Sequence, residues 1–174
     1  MPKTVLITGA GSGFGRGAAL ELAQRGHKVI AGVLDDRQAK ELARAAPKLT
    51  VARLDITDAK DIAKVDKWNL DVFVANAALG QTGPLSLIPL ERLRAVFEVN
   101  VFGTFAITQR VAQAMRKRRA GRIIVTSSIG GVRRRGERAT LDAENAGVLR
   151  DGDVVVMLGR AEAVDAAESV LLRG

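Results

Sequence analysis

Residues 8–15 read T-G-A-G-S-G-F-G, and an apolar run, K-T-V-L-I, leads into them at residues 3–7. Glycine accepts positive φ and lets another group approach the backbone closely. Residues 13–25 have the spacing of a helix, whose first turn offers unpaired N–H groups to a phosphate. A second apolar run at 28–33 closes a β-α-β unit. The stretch therefore predicts a cradle for the pyrophosphate of a dinucleotide, with a ligand-free tight turn as the alternative.

Segments typical of strands and of helices alternate along the rest of the chain. We predict strands at residues 4–8, 28–33, 50–54, 71–75 and 122–126, and helices at residues 13–25, 36–45, 59–65 and 89–118, with Gly121 ending the last helix. Each strand is short and rich in Val, Ile or Leu, as in parallel sheets that are buried on both faces. The pattern predicts an α/β fold, a Rossmann-like doubly wound parallel sheet in three α-β-α layers. We expect residues 1–174 to form one such domain of about six strands, the sixth at residues 153–158.

The composition excludes several other classes of protein. Of the 174 residues, 47% are apolar and 26% charged, which is typical of a globular domain. Without cysteine there are no disulfides or thiolate metal sites, and we expect the single histidine, His27, to be structural. The net charge of +8 is concentrated in residues 116–138, but aromatic residues that could stack on bases make up only 3%, so we do not expect specific nucleic-acid binding. No membrane span or signal peptide is visible, and we expect a cytoplasmic protein.

Four further motifs follow the glycine-rich stretch in order. They read L-D-I-T at 54–57, A-N-A-A-L-G at 75–80, F-E-V-N-V-F-G at 97–103 and T-S-S-I-G-G at 126–131. Together with residues 8–15, these motifs resemble those of the short-chain dehydrogenases/reductases, over about residues 3–131. Ala75 and Ala78 depart from the family's pattern.

The resemblance implies a set of cofactor-binding residues: Thr8, Gly9, Ser12, Gly13, Phe14, Gly15, Asp55, Ile56, Asn76 and Ala77. In the family, the acid at the place of Asp55 meets the adenine amino group. The asparagine at the place of Asn100 kinks the long helix and helps to hold a proton-relay water, and the serine at the place of Ser128 polarises the substrate. Each residue also has a purely structural interpretation: Asp55 as a helix cap, Asn100 as a packing compromise and Ser128 as the end of a strand.

The choice between NAD and NADP stays open. An acid at the end of the second strand would hold the ribose hydroxyls of NAD, and a nearby arginine would favour NADP. That place is occupied by Val33, with Asp35, Asp36 and Arg37 close behind. We lean towards NAD.

The resemblance fails at the family's proton donor. Proton transfer in the family requires a tyrosine about a dozen residues after the serine, with a lysine one helical turn beyond it. This chain has no tyrosine, its last lysine is Lys117, and Leu141 and Asn145 stand at the corresponding places. Neither side chain can transfer a proton near neutral pH.

The last part of the chain resembles a different family of proteins. V-R-R-R-G-E-R at 132–138 and L-R-D-G-D-V-V-V-M-L-G at 149–159 are similar to the end of the C-terminal regulatory domain of potassium-transport proteins. We therefore interpret residues 132–174 as a foreign β-α tail that completes the sheet of a chimeric chain, with its helix at residues 160–172.

Three functions remain open. The chain binds a dinucleotide but is catalytically impaired, or it is a structural fold with an unused cofactor loop, or it is an oxidoreductase in which Ser128 works with a non-standard proton donor. A side chain at Gly13 or Gly15 is expected to obstruct the cradle. The resemblance also implies a homo-oligomer through the helix at 89–118, with Leu93, Val96, Phe97 or Phe105 at the interface.

Overall fold

The core of the fold is a parallel sheet of five strands. The computed structural model describes residues 1–81, 84–127, 133–135 and 138–140. The strands are β1 (Thr4–Thr8), β2 (Lys28–Val33), β3 (Thr50–Arg53), β4 (Val72–Ala75) and β5 (Arg122–Val125), in the order β3-β2-β1-β4-β5. β1 lies between β2 and β4, with Leu6 beside both Ile30 and Phe73. The predicted α/β, Rossmann-like class is confirmed, and the strand bounds differ from the predicted ones by at most one residue at an end.

Five α-helices connect the strands or lie between them. They are α1 (Gly13–Gln24), α2 (Asp36–Ala45), α3 (Ala59–Ile62), α4 (Leu90–Phe97) and α5 (Thr104–Arg118). A 3₁₀ helix, Ala63–Lys67, continues α3, and a second one spans Leu85–Leu87. The single helix predicted at 89–118 is interrupted, because a π-helical stretch, Glu98–Gly103, joins α4 to α5.

Apolar side chains fill both faces of the sheet. On one face, Leu6 and Phe73 are fully buried in a cluster with Ile107 and Val111 of α5. Side chains alternate along a strand, so the intervening Val5 and Ile7, which are also buried, face the other side. There α1 contacts β1 and β2, and α2 contacts β2 and β3. Helices thus cover both faces of the sheet, as strands without polar alternation require.

The end of α5 corrects one prediction. The residue in the left-handed conformation at the helix end is Arg119, with φ +54°, and not Gly121. The N–H groups of Arg119 and Ala120 donate to the carbonyls of Arg116 and Met115, which closes the last turn before Gly121 is reached. Gly121, with φ +142°, instead lies in the connection to β5. A cap of this kind satisfies the last carbonyls of a helix.

Residues Met1–Ile123 form one compact unit, and a second unit begins at Ile124. Within the second unit, β6 (Arg133–Arg135) and β7 (Arg138–Thr140) pair in antiparallel fashion. The predicted strand at 153–158 and helix at 160–172 lie outside the described residues. None of the helices in the described ranges combines the length and the apolar character that a membrane span needs.

Candidate functional site

A cavity of about 350 Å³ opens at the carboxyl ends of β1 and β4. The chain continues from β1 to β2 on one side and from β4 to β5 on the other, and such a switch point is where α/β sheets bind ligands. The cavity is lined by Gly9, Gly11, Ser12, Phe14, Leu34, Gln38, Leu54, Asp55, Ile56, Asn76, Ala77, Ala78, Leu79 and Val99. Asp55 is the single ionisable side chain among these lining residues.

The turn after β1 requires glycine because other backbone atoms approach it closely. Gly9 has φ +68°, and a Cβ there would lie 2.8 Å from Cα of Ala77. A Cβ at Gly15 would lie 2.5 Å from both Asn76 Nδ2 and the carbonyl oxygen of Gly9. These separations are too short for any side chain, so the two glycines allow α1 to pack directly on the β1 turn and on the segment after β4.

Thr8 joins the two strand ends from beneath the cavity. Its side chain is buried, and its Oγ1 accepts hydrogen bonds from the N–H groups of Asn76 (3.0 Å) and Ala77 (3.1 Å). The same hydroxyl donates to the carbonyl of Val74 at 3.4 Å. Asn76 Nδ2 in turn donates to the carbonyl of Thr8 at 3.1 Å. One hydroxyl and one amide thus fix the floor of the cavity.

The first turn of α1 is suited to an anion. Ser12 precedes the helix in an extended conformation, and its side chain makes no capping hydrogen bond. The first turn contains no acidic residue. The N–H groups and the positive end of the helix dipole therefore face the mouth of the glycine-rich turn without a built-in negative partner. This arrangement can bind a phosphate group.

Asp55 lies in the loop that follows β3. Its Oδ1 accepts hydrogen bonds from the N–H (2.9 Å) and the hydroxyl (2.7 Å) of Thr57. The cap of α3 is Asp58, which accepts from the N–H of Lys60 at 2.8 Å. The alternative that Asp55 is the helix cap is therefore wrong. Among the described residues no group donates to Asp55 Oδ2.

At its opposite end, the cavity is lined by two residues that follow β2 in the chain, Leu34 and Gln38. Asp35 caps α2, since its Oδ1 accepts from the N–H of Gln38 at 2.8 Å. Gln38 Oε1 accepts from the N–H of Leu34 at 3.2 Å, and the Gln38 side chain lies so close to Gly11 that a Cβ there would collide with it. The amide of Gln38 is thus held against the glycine-rich turn. Glutamine three residues after a capping aspartate is typical of a helix start, but this spacing does not predict the contact with the glycine-rich turn.

Asn100 ties the π-helical stretch to the segment after β4. Its Oδ1 accepts from the N–H of Leu79 at 2.7 Å, and its Nδ2 donates to the carbonyl of Leu79 at 2.9 Å. The wider turn has its own support, because Thr104 Oγ1 donates to the carbonyl of Val99, five residues earlier, at 3.2 Å. Both polar atoms of the Asn100 side chain therefore hold one backbone segment in place.

The structure brings most of the predicted site residues together. Gly9, Ser12, Phe14, Asp55, Ile56, Asn76 and Ala77 line the cavity, and Thr8 and Gly15 support it. Gly13 has φ +52°, and a Cβ there would meet no protein atom within 4 Å. Obstruction of the protein's own packing is therefore expected at Gly15 and not at Gly13. Ser128 lies outside the described residues.

Sequence reasoning missed half of the cavity wall. The residues not predicted are Gly11, Leu34, Gln38, Leu54, Ala78, Leu79 and Val99. Most of them are apolar, and nothing in their spacing distinguishes them from core residues. Within the described ranges there is no group of three or more His, Cys, Asp or Glu side chains that could hold a metal ion.

The chain matches the family model described as short chain dehydrogenase over residues 3–149. It is 35% identical to human retinol dehydrogenase 8 over 142 residues, which cover 75% of this chain and 46% of that protein. It is 37% identical to mouse 17-beta-hydroxysteroid dehydrogenase type 1 over 145 residues, which cover 75% of this chain and 42% of that protein. The chain thus spans about half the length of these relatives.

Two solved structures with bound cofactor have the same fold. One, a 3-ketoacyl-(acyl-carrier-protein) reductase from Brucella melitensis complexed with NADH, is 29% identical with a TM-score of 0.65, and the match covers 74% of this chain and 58% of that one. The other, from Beutenbergia cavernae with bound NADP at low occupancy, is 30% identical with a TM-score of 0.64, covering 73% of this chain and 54% of that one. The family match also continues past Gly131, where the resemblance seen in the motifs ends, to residue 149.

Proposed function

The chain belongs to the short-chain dehydrogenase family, and from that premise we propose that it binds a nicotinamide dinucleotide at the cavity above β1 and β4 while lacking the family's proton donor. The observation that supports binding is the pair of close approaches at Gly9 and Gly15 beside the uncapped start of α1. The close approaches bring α1 directly onto the turn, so that the N–H groups of its first turn lie beside the cavity. The pyrophosphate would lie against the first turn of α1, and the bound cofactor would supply hydride transfer.

The adenosine half would lie along the loops after β2 and β3. Asp55 lines the cavity, and its Oδ2 would accept a hydrogen bond from the adenine amino group. Ile56 would pack against the ring, and the backbone of Asn76 and Ala77 would face the other half of the cofactor. These roles follow the family's pattern onto the matching residues of this chain.

We propose that the site prefers NAD to NADP. The lining residues include no lysine, arginine or histidine that could pair with a 2′-phosphate. Arg37 pairs with Glu41 at 3.4 Å on the exposed side of α2. Gln38, held at the glycine-rich turn, offers an uncharged amide that suits a ribose hydroxyl. Calorimetric titration is expected to give a lower Kd for NADH than for NADPH, and equal values would contradict the preference.

We propose that ordinary dehydrogenase turnover is absent or very weak. The chain has no tyrosine, and no lysine follows Lys117. Ser128 could still polarise a carbonyl, but without a tunable proton donor the reaction loses a contribution of about 10²–10⁴ in rate. An oxidoreductase with Ser128 and a non-standard proton donor remains the competing proposal.

The experiment that separates these proposals is a turnover screen on alcohols, aldehydes and ketones with both cofactors. We expect rates at background although the same sample binds NADH in a titration. Turnover that Ser128→Ala abolishes would contradict the impaired-enzyme proposal and favour the competing one. A chain that binds neither cofactor and turns over nothing would favour the third possibility, a fold with an unused loop.

We further propose that the chain forms a homo-oligomer through α4 and α5. Leu93, Phe97 and Phe105 are 43%, 50% and 65% exposed, and α4 contains no buried residue. Val96 is partly buried. Light scattering of the parent and of Phe97→Glu is expected to show a loss of mass in the variant. A monomeric parent would contradict the proposal.

The foreign-tail hypothesis is kept in a narrower form. Since residues 132–149 fall within the family match, we propose a foreign origin only for residues 150–174. Their contribution to the sheet stays a prediction.

A further inference from the structure

Asp61 is a buried carboxylate that does not line the cavity. It belongs to α3, and its side chain is only 3% exposed. Buried aspartates are rare unless they are paired and hydrogen-bonded. The described residues around Asp61 provide both kinds of partner, and one of them leads directly to the proposed cofactor site.

Two cations and one backbone amide satisfy Asp61. Lys64 Nζ lies 2.7 Å from Asp61 Oδ1, and Arg53 Nε lies 3.7 Å from Oδ2. Lys64 Nζ also donates to the carbonyl of Arg53 at 2.8 Å. Asp61 Oδ2 accepts a hydrogen bond from the N–H of Asp55 at 2.9 Å. The carboxylate therefore connects the end of β3 and the start of the following loop to α3.

The ionised form of Asp61 is the one that this environment favours. Burial raises its pKa, but the hydrogen bonds from Lys64 and from the N–H of Asp55, with the charges of Lys64 and Arg53, lower the pKa further than burial raises it. A charged acceptor also makes a stronger hydrogen bond to an N–H group than a neutral one does. At neutral pH the backbone of Asp55 is thus held by a full negative charge.

These contacts fix the direction of the Asp55 side chain. Its backbone N–H is fixed by Asp61 and its Oδ1 by Thr57, so the direction of the carboxylate is set from both ends. Asp55 Oδ2 is available to accept a hydrogen bond from a ligand. The hydrogen bonds between Asp55 and Thr57 are internal to the turn, whereas the bond from the N–H of Asp55 to Asp61 ties the turn to α3.

We propose that Asp61 is a positioning residue for adenine recognition, which it controls by holding the Asp55 turn while touching no part of the cofactor. The inference rests on the proposed function, since it assumes that Asp55 accepts a hydrogen bond from the adenine amino group. It assigns to Lys64 the role of keeping Asp61 charged and in place. Both residues act on selectivity for the base and not on affinity for the pyrophosphate.

The test compares NADH with its deaminated analogue, nicotinamide hypoxanthine dinucleotide in reduced form, by calorimetry on the full chain. The analogue keeps the pyrophosphate, both riboses and the nicotinamide but has a carbonyl in place of the adenine amino group. A charged acceptor discriminates between such ligands by roughly tenfold or more. We expect the parent to show this ratio and Asp61→Ala to reduce it towards one, mainly by weakening NADH binding. Lys64→Met, which leaves every cavity-lining residue in place, should reduce the ratio in the same direction.

Asp66→Ala is the matched control. Asp66 is also an aspartate in an ion pair, with Arg110 at 2.5 Å, and among the described residues it has no hydrogen bond to the Asp55 turn. The Asp66→Ala variant should show the same ratio of Kd values for the two dinucleotides as the parent. In the Asp55→Ala background, adding Asp61→Ala should change the ratio no further.

The outcomes separate this inference from the proposed function. A parent that binds neither dinucleotide overturns the proposed function and the inference with it. A parent that binds both dinucleotides equally well overturns the proposed contact between Asp55 and adenine, and the inference with it, while dinucleotide binding itself stands. Folded Asp61→Ala and Lys64→Met variants that keep the full ratio overturn the inference alone. Equal weakening of both dinucleotides would show a general structural role and would also overturn it.

Discussion

At the scale of single residues, Thr8 explains why the cavity has a fixed floor. It is a buried polar side chain at the end of an otherwise apolar strand, and burial of a hydroxyl is unfavourable unless hydrogen bonds compensate it. Here the hydroxyl accepts hydrogen bonds from the N–H groups of Asn76 and Ala77, the two residues that follow β4. The residue is therefore needed for stability as well as for the shape of the site.

Thr8→Val keeps the shape of the side chain but removes the acceptor of the part-buried hydrogen bonds from the N–H groups of Asn76 and Ala77. We expect it to lower the free energy of unfolding by about 1–3 kcal/mol. Thr8→Ser, which keeps the hydroxyl, should lose less. Urea denaturation followed by the fluorescence of Trp68, the chain's single tryptophan, measures both. Equal losses in the two variants would mean that the hydrogen bonds are not the cause.

Residue-level prediction from the sequence succeeds where a residue type has few explanations. The glycine-rich turn and Asp55 are of this kind, because closely spaced glycines and an acid directly after a strand limit what the backbone can do. Gln38 and Leu79 are residue types with many possible explanations. Gln38 reaches the cavity only through the cap of α2, and Leu79 only because Asn100 holds its backbone. Such tertiary contacts leave no trace in local spacing.

At the scale of elements, the interruption between α4 and α5 sets the position of the cavity wall. Gly103, at the end of the π-helical stretch, passes so near the loop after β3 that a Cβ would lie 2.7 Å from the carbonyl of Ile56. Pro89 and Gly121 predict where the long helix begins and ends, but they give no information about a π-helical stretch between them. The strands were predicted closely since an apolar run between turn residues marks both ends.

Two carboxylates near α3 make stability depend on pH. The pKa of Asp66 is lowered chiefly by its hydrogen bond from Arg110, and the pKa of Asp61 is lowered because its hydrogen bonds outweigh the effect of burial. A folded-state pKa below the unfolded value, about 3.9 for aspartate, contributes stability that is complete above that value. The contribution is lost as the pH falls through the folded pKa.

We therefore expect the stability difference between the parent and Asp61→Asn to be constant from pH 7 to pH 5 and to shrink below about pH 4. Urea denaturation at a series of pH values measures it. A difference that stays unchanged down to pH 3 would show that the ionised form of Asp61 is not the stabilising one.

At the scale of the whole molecule, the chain contains the sheet and the glycine-rich turn of the short-chain dehydrogenase family. Residues 3–149 match the family, yet they span about half of the relatives' length and include no tyrosine. The sequence sufficed to predict the sheet and the tight strand-to-helix turn at the glycines, because both depend on contacts within about 130 residues. The single domain predicted for residues 1–174 and the sheet contribution of the tail stay predictions.

The most direct test of the central claim, a dinucleotide cradle at the glycine-rich turn, is a calorimetric titration of NADH into the parent, Gly15→Ala and Gly17→Ala. Gly15 has no room for a methyl group, whereas Gly17, in the same helix, is exposed with no atom within 4 Å of an added Cβ. Gly17→Ala should bind like the parent and gain up to about 1 kcal/mol of stability. Gly15→Ala should bind at least roughly tenfold more weakly, because the turn and α1 must separate to admit the methyl group. A parent that does not bind NADH, or a folded Gly15→Ala that binds it as tightly as the parent, would contradict the claim.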